Sequence, residues 1–203
     1  MTNKILILFA FIAVTAVNTI NAQVPSNAED VSPLLIGERV PEATLIDPDG
    51  NKLTLKSVIK EKPTVLVFYR GGWCPYCNAQ LSGLSESESK ILELGYQIIA
   101  ISPDNYKNLK PTIQEDNVAY SLYSDPEAKL IQDIGIGFET PSMAKMYIKK
   151  KTKMDATDIL PVPTVMVLNT SGEILFEYIN PNYKVRLSES LLLSALKALK
   201  DDM

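Results

Sequence analysis

Two cysteines separated by a Pro-Tyr pair, Cys74-Pro75-Tyr76-Cys77, are the only thiols in a chain that contains no histidine. They end the run Arg70-Gly71-Gly72-Trp73-Cys74-Pro75-Tyr76-Cys77, which also holds the single tryptophan. Thiols at this spacing can ligate a metal, staple the fold or do redox chemistry. A zinc site needs four ligands, and two sulfurs without histidine would have to be completed by carboxylates, so no metal is expected. A staple is poorly placed here, because closing a four-residue ring contributes only about 2 kcal/mol, against about 3 for a fifteen-residue ring. Two unrelated buried thiols are hard to reconcile with a Trp-Cys-Pro-Tyr-Cys turn. Redox chemistry remains, with Cys74 as nucleophile and Cys77 closing a disulfide with it.

Such chemistry needs an element that holds the first sulfur as an anion. Upstream, Thr64-Val65-Leu66-Val67-Phe68-Tyr69 is dense in β-branched and aromatic residues and reads as a buried strand. Downstream, Asn78 to Leu94 has apolar residues at Leu81, Leu84, Ile91, Leu92 and Leu94 and few breakers, which predicts a helix, although Ser82, Ser85, Ser87 and Ser89 weaken it. Pro75 suits the first helical position, where no N–H is needed. Cys74 is thereby expected at a helix N-terminus, where free amides and the helix dipole favour a thiolate. Such motifs bring the first thiol's pKa to roughly 3.5–7.5. Arg70 would lower it further if its side chain turned toward the sulfur.

The stretch Phe68 to Cys77 resembles the active-site turn of the thioredoxin superfamily in its Trp-Cys-x-x-Cys form. More closely, Tyr-Arg-Gly-Gly-Trp-Cys-Pro-Tyr-Cys resembles the peroxiredoxin-like branch grouped with the alkyl hydroperoxide reductase and thiol-specific antioxidant proteins. The resemblance spans about Leu35 to Leu199. It implies an α/β thioredoxin-like fold, a central mixed sheet flanked by helices, with an N-terminal hairpin of peroxiredoxin type. It also implies Cys74 and Cys77 as catalytic residues, supported by Arg70, Trp73, Pro75 and Tyr76. Val162-Pro163-Thr164 is similar to the superfamily's Val-Pro-Thr, so the Val162–Pro163 bond is expected to be cis and to face the cysteines, with Val162 pairing to a bound substrate segment. The implied partners are a disulfide or peroxide substrate and an upstream thiol electron donor.

The sequence departs from the branch in two places. Genuine peroxiredoxins carry a proline seven residues and a threonine or serine three residues before the reactive cysteine, where this chain has Val67 and Gly71. Their downstream arginine has no obvious counterpart among Arg39, Arg70 and Arg186. On these residues, thiol–disulfide exchange by an exported dithiol oxidoreductase ranks ahead of peroxide reduction. A non-catalytic, redox-sensitive binding module is the third reading.

The rest of the chain is expected to frame that site. An apolar content of 46% over 203 residues suffices for one domain with a real core, and a net charge of −4 gives no reason to expect nucleic acid as a partner. Residues 1–22 read as a signal peptide: Lys4 is followed by an apolar stretch from Ile5 to Val17 and a cleavage site before Gln23. The apolar stretch is short of the roughly 20 residues a span requires. Export to a periplasm, without stable membrane insertion after cleavage, is the expected localisation. Residues 23–34 read as a linker or disordered lead-in, and 35–203 as the domain. A hairpin is expected across Asp47 to Asn51, a strand over Tyr96 to Ser102, and a helix begun by Pro103-Asp104-Asn105 toward Glu115 and interrupted at Pro111. A short strand over Tyr120 to Tyr123 and a helix opened by Asp125-Pro126-Glu127 follow. Ser142 to Lys153 reads as a helix carrying Met143, Met146 and Met154, which either face the core or, with Lys149 to Lys151, form an adaptable basic surface beside the site; the core-facing stripe is the simpler expectation. The stretch Ile159 to Leu168 holds a β-branched strand directly after a proline, and it turns at Asn169 to Gly172 into Glu173 to Ile179 as an antiparallel hairpin. Leu187 to Leu199 reads as an amphipathic helix with Leu191, Leu192, Ala195, Leu196 and Leu199 on one face. The stretch Asn180 to Leu187 resembles one found in the same branch, without a role that residue chemistry suggests. No phosphate-cradling glycine loop or cofactor ligand set is present, so no cofactor is expected.

Overall fold

The computed structural model describes residues 24–201; the expected signal peptide lies outside the described residues. Strands are β1 (Thr44–Ile46), β2 (Lys52–Thr54), β3 (Thr64–Phe68), β4 (Gln97–Ser102), β5 (Ser121–Ser124), β6 (Gly137–Glu139), β7 (Ile159–Pro161), β8 (Thr164–Leu168) and β9 (Ile174–Ile179). Helices are α1 (Leu55–Ile59), α2 (Pro75–Glu93), α3 (Leu109–Glu115), α4 (Lys129–Asp133), α5 (Ser142–Thr152) and α6 (Glu189–Asp201). Among the described residues, seven strands form one mixed sheet in the order β2-β1-β5-β4-β3-β8-β9, and β6 pairs with β7 in a separate ladder. β3, β4 and β5 run parallel, as the β3-α2-β4 connection requires, while β8 and β9 close the other side antiparallel.

The central strands are apolar on both faces, and their two-residue period sorts them into two cores. Val65, Val67, Tyr69, Ile98, Ala100, Val165 and Val167 point to one side, where α2 and α6 cover them. Leu66, Phe68, Ile99, Ile101, Met166 and Leu168 point to the other, against α1, α4 and the hairpin. Both cysteines belong to the first core. The redox turn therefore hangs from the C-terminal end of β3 and dips back beneath α2.

Several expectations change on folding. The hairpin forms as read, pinned by the Asp47 carboxylate, which accepts the amides of Asp49 and Asn51. Pro111 does not interrupt α3, because it is that helix's third residue and its missing N–H has no helical partner to lose. Asp125 accepts the amides of Lys129 and Ile131, so it holds the start of α4. The lead-in is not a free linker over its described part: Leu34 N–H donates to Ile134, Pro25 accepts from Glu139, and Ala28 and Val31 pack on the small core of Phe138, Ile148, Leu160 and Val162. In α5 the methionines face outward, Met143 78% and Met146 68% exposed, and Ile148 is the residue that points inward. The core-facing stripe is thus overturned. In α6, Leu191 is exposed while Leu192 and Leu196 are buried, a narrower apolar face than the sequence suggests. Among the described residues no helix is long and apolar enough to cross a membrane.

Candidate active site

Cys74 is the N-cap of α2 and Pro75 its first residue, so the strand–turn–helix placement read from the sequence is realised. The Cys74 carbonyl accepts from the amides of Cys77 and Asn78, which starts the helix, while the Cys74 amide closes the preceding turn on Gly71. Both sulfurs are reduced and buried. Each sulfur shifts the ionisation of the other. The Cys77 thiol donating to Cys74 is the largest cause that holds Cys74 down to about 6, with the Cys77 amide and then the charges of Arg70 and Arg186 helping against burial. Burial, and then the Cys74 sulfur, push the Cys77 thiol well above its ordinary range. The pair therefore carries one negative charge at neutral pH, on Cys74.

The charge of Arg70 helps to lower the pKa of the Cys74 thiol. Its guanidinium lies 5.1 Å from the Trp73 ring centroid and 4.4 Å from that of Tyr183. Tyr183 in turn meets Tyr76 edge-on at 5.7 Å, and Trp73 meets Tyr147 of α5 at 6.1 Å. Trp73, Tyr76 and Arg70 are thus locked together by residues that lie far along the chain. Pro75 and Tyr76 stay exposed at the mouth.

The Val162–Pro163 expectation is corrected. The bond is trans, since the described residues contain no cis peptide. Trans is the lower-energy isomer by about 0.5–1 kcal/mol, and here the chain passes from the β6–β7 ladder into β8 with both of its backbone groups engaged. The Val162 amide donates to Ile136 and its carbonyl accepts the Thr164 hydroxyl, so Val162 has no free N–H to offer a substrate strand. Pro163 still lies near the site, in a groove of about 260 Å³ shared with Arg70, Pro181 and Tyr183.

Three residues join the site without having been read from the sequence as part of it. Arg186 donates from Nη2 to Cys77 Sγ at 3.4 Å. Tyr183 supplies the second face for Arg70. Both belong to the stretch after β9 that the family resemblance had marked without a role. Asp104, read only as a helix start, is buried at the end of β4 and accepts the Gly72 amide at 2.9 Å. Burial pushes its carboxyl up to about 7, against the pull of the Gly72 amide and the Trp73 indole.

That carboxyl makes stability depend on pH with a defined sign. It keeps its proton in the fold where the unfolded chain, at 3.8, has already released it. Its contribution to stability therefore declines as pH rises from about 4 to about 7 and is level above. Asp104→Asn keeps an acceptor for Gly72 but cannot ionise. Urea unfolding of the reduced protein at pH 5 and pH 8 should show the variant gaining on the wild type at pH 8; an equal difference at both would exclude this role.

Among the described residues no cluster of three or more potential ligands could hold a metal ion. Residues 36–176 match the AhpC/TSA family. The chain is 30% identical over 117 residues to the bcp peroxiredoxin homologue of Haemophilus influenzae, covering 58% of this chain and 75% of that one. It is 31% identical over 124 residues to peroxiredoxin bcp1 of Schizosaccharomyces pombe, covering 61% and 63%. Among solved structures, reduced Prx3 of Vibrio vulnificus superposes with a TM-score of 0.69 at 16% identity, over 80% of this chain and 99% of the other.

Proposed function

The chain belongs to the AhpC/TSA family, and from that premise we propose that it is a thiol-dependent peroxidase in which Cys74 attacks the peroxide and Cys77 resolves. The observation that carries this reading is the match of residues 36–176 to the AhpC/TSA family around a turn that puts Cys74 at the N-cap of α2 with Cys77 one helical turn on, where the Cys77 thiol helps to hold Cys74 down to about 6. The Cys74 thiolate attacks one peroxide oxygen, the O–O bond breaks, Cys74 becomes a sulfenic acid, and the departing alkoxide or hydroxide takes a proton from solvent to leave as alcohol or water. Cys77 then condenses with it, forming the disulfide and releasing water. A thiol donor returns both electrons and both protons needed to restore the dithiol. The charges of Arg70 and Arg186 favour the anionic sulfur before attack.

Residue types alone ranked disulfide exchange first, because Val67 and Gly71 replace the family's proline and hydroxyl. The likeness to bcp peroxiredoxins weighs the other way, and peroxide becomes the first substrate class. Exchange stays as the second reading on one specific observation: two free thiols at the N-cap and in the first turn of α2, within Trp73-Cys74-Pro75-Tyr76-Cys77, also suit a mixed disulfide. Export to a periplasm, resting on residues 1–22, would make the cycle depend on an electron donor supplied there.

The test is consumption of hydrogen peroxide and of an alkyl hydroperoxide by catalytic protein with dithiothreitol as donor, set beside reduction of a protein disulfide. Multiple turnovers of peroxide are expected. Turnover of the disulfide alone would sink the peroxidase reading.

The pH profile is a separate expectation. Since only the thiolate reacts, the rate of Cys74 with peroxide or iodoacetamide should rise with a midpoint near 6 and be level by pH 7.5. Cys77→Ala removes the largest stabiliser of that thiolate, so the midpoint should move upward. A midpoint that stays put would mean that the Cys77 thiol does not hold the charge.

A further inference from the structure

Arg186 is a half-buried cation that pairs with no carboxylate among the described residues. It lies on the segment between β9 and α6, 109 residues from Cys77, and Nη2 reaches Cys77 Sγ at 3.4 Å. Its Nε and Nη1 are buried and make no hydrogen bond among the described residues. No acidic group within ion-pair distance accompanies it among those residues. Two of its nitrogens are desolvated, and in the resting pair the negative charge it meets sits on Cys74 rather than on the sulfur it touches; a thiolate at Cys77 would compensate it more directly than a neutral thiol does. The arrangement thus matches a state in which Cys77, rather than Cys74, is the anion.

That state arises once in the cycle. When a donor thiolate attacks the Cys74–Cys77 disulfide at the Cys74 sulfur, the S–S bond breaks and its electron pair moves to Cys77 Sγ. The Cys77 thiolate departs into a fully buried position. Leaving is faster the lower the leaving thiol's pKa, and burial works against it here. We propose that Arg186 is a catalytic residue of the reduction half-cycle, stabilising Cys77 as the leaving thiolate. The donor's second thiol next attacks the mixed disulfide and frees Cys74 as thiolate, and the donor's remaining proton ends on Cys77. The donor is a dithiol, oxidised to its disulfide. This inference rests on the Cys74–Cys77 disulfide of the proposed cycle, but not on peroxide as its source.

The test uses protein oxidised with diamide, so it proceeds even if peroxide proves not to be a substrate. Reduction by dithiothreitol is followed through Trp73 fluorescence for wild type, Arg186→Met and Arg186→Lys. Arg186→Met should slow reduction tenfold or more, and Arg186→Lys should recover most of the rate. In a Cys77→Ser background at pH 8, Arg186→Met should slow iodoacetamide alkylation of Cys74 by much less than it slows reduction, because the Arg186 charge is the smallest of the causes that lower the Cys74 thiol. Unchanged reduction in Arg186→Met, no recovery with lysine, or an equally large loss in the alkylation would each overturn the assignment, the last by placing the charge's action on Cys74.

Discussion

Cys74→Ser is expected to remove peroxide turnover altogether, a fall of at least ~10³-fold, because a serine hydroxyl at the same position is not ionised at neutral pH. The fold should not suffer. Cys74 is the N-cap of α2 and makes no capping hydrogen bond, whereas serine is among the best N-cap residues, so stability should hold or rise by about 0.5–1 kcal/mol. Activity and stability would then move in opposite directions from one substitution. Cys77→Ser should behave differently: one equivalent of peroxide is consumed and the cycle stops at the Cys74 sulfenic acid, which a dimedone adduct and intact mass would reveal. The loss of the Cys74 charge should also ease the ionisation of Asp104, whose carboxyl that charge helps to push up. Residual turnover in Cys74→Ser comparable to wild type would remove the basis for the whole reaction scheme.

The second large effect concerns the position where family members carry a hydroxyl. Gly71→Thr would formally restore it, yet the expected result is loss of activity by at least ~100-fold and a lower melting temperature. Gly71 has φ +137°, where L side chains are strained, and a Cβ there would lie 2.3 Å from Trp73 Nε1 and 2.6 Å from Asp104 Oδ2. Backbone strain of this kind costs about 1–3 kcal/mol, before the displacement of a tryptophan and a buried carboxylate. A total near 3 kcal/mol corresponds to roughly 6–12 °C in Tm for a domain of this size. Thermal unfolding and peroxide kinetics on the same sample check both halves. A threonine variant that folds normally and turns over faster would mean that the turn can adopt the family's usual geometry, and that Gly71 is a loss rather than a device. The glycine pair has a physical reason in the structure: Gly72 offers its amide to Asp104, and its own Cβ would fall 2.0 Å from Thr112 Oγ1.

The helix face of α5 illustrates why some readings could not be settled from periodicity. Met143, Met146 and Ile148 are all apolar, and spacing alone does not say which of them faces inward. The core of Phe138, Leu160 and Val162 selects Ile148, and the methionines are left in solvent near Tyr147 and Trp73. The trans Val162–Pro163 bond has the same origin. A motif of three residues suggested a substrate-pairing edge, but the amide of Val162 was already committed to Ile136, a partner 26 residues earlier that only the β6–β7 ladder brings close.

From the residues alone came the elements with strong local signals: the buried β-branched strands, the helix that Pro75 opens, the hairpin around Asp47 to Asn51, and a thiolate at the helix N-terminus. Each depends on interactions within about ten residues, so the local chain carries the information. Tertiary structure alone decided what surrounds the sulfurs. Arg186, Tyr183 and Asp104 arrive from the ends of other strands and from the segment before α6, and their charges, ring faces and burial depend on packing across the sheet. The reactivity of Cys74 can be anticipated from its helix. Which neighbour holds its charge, and which one waits for the charge on Cys77, depends on contacts between residues as many as 109 positions apart.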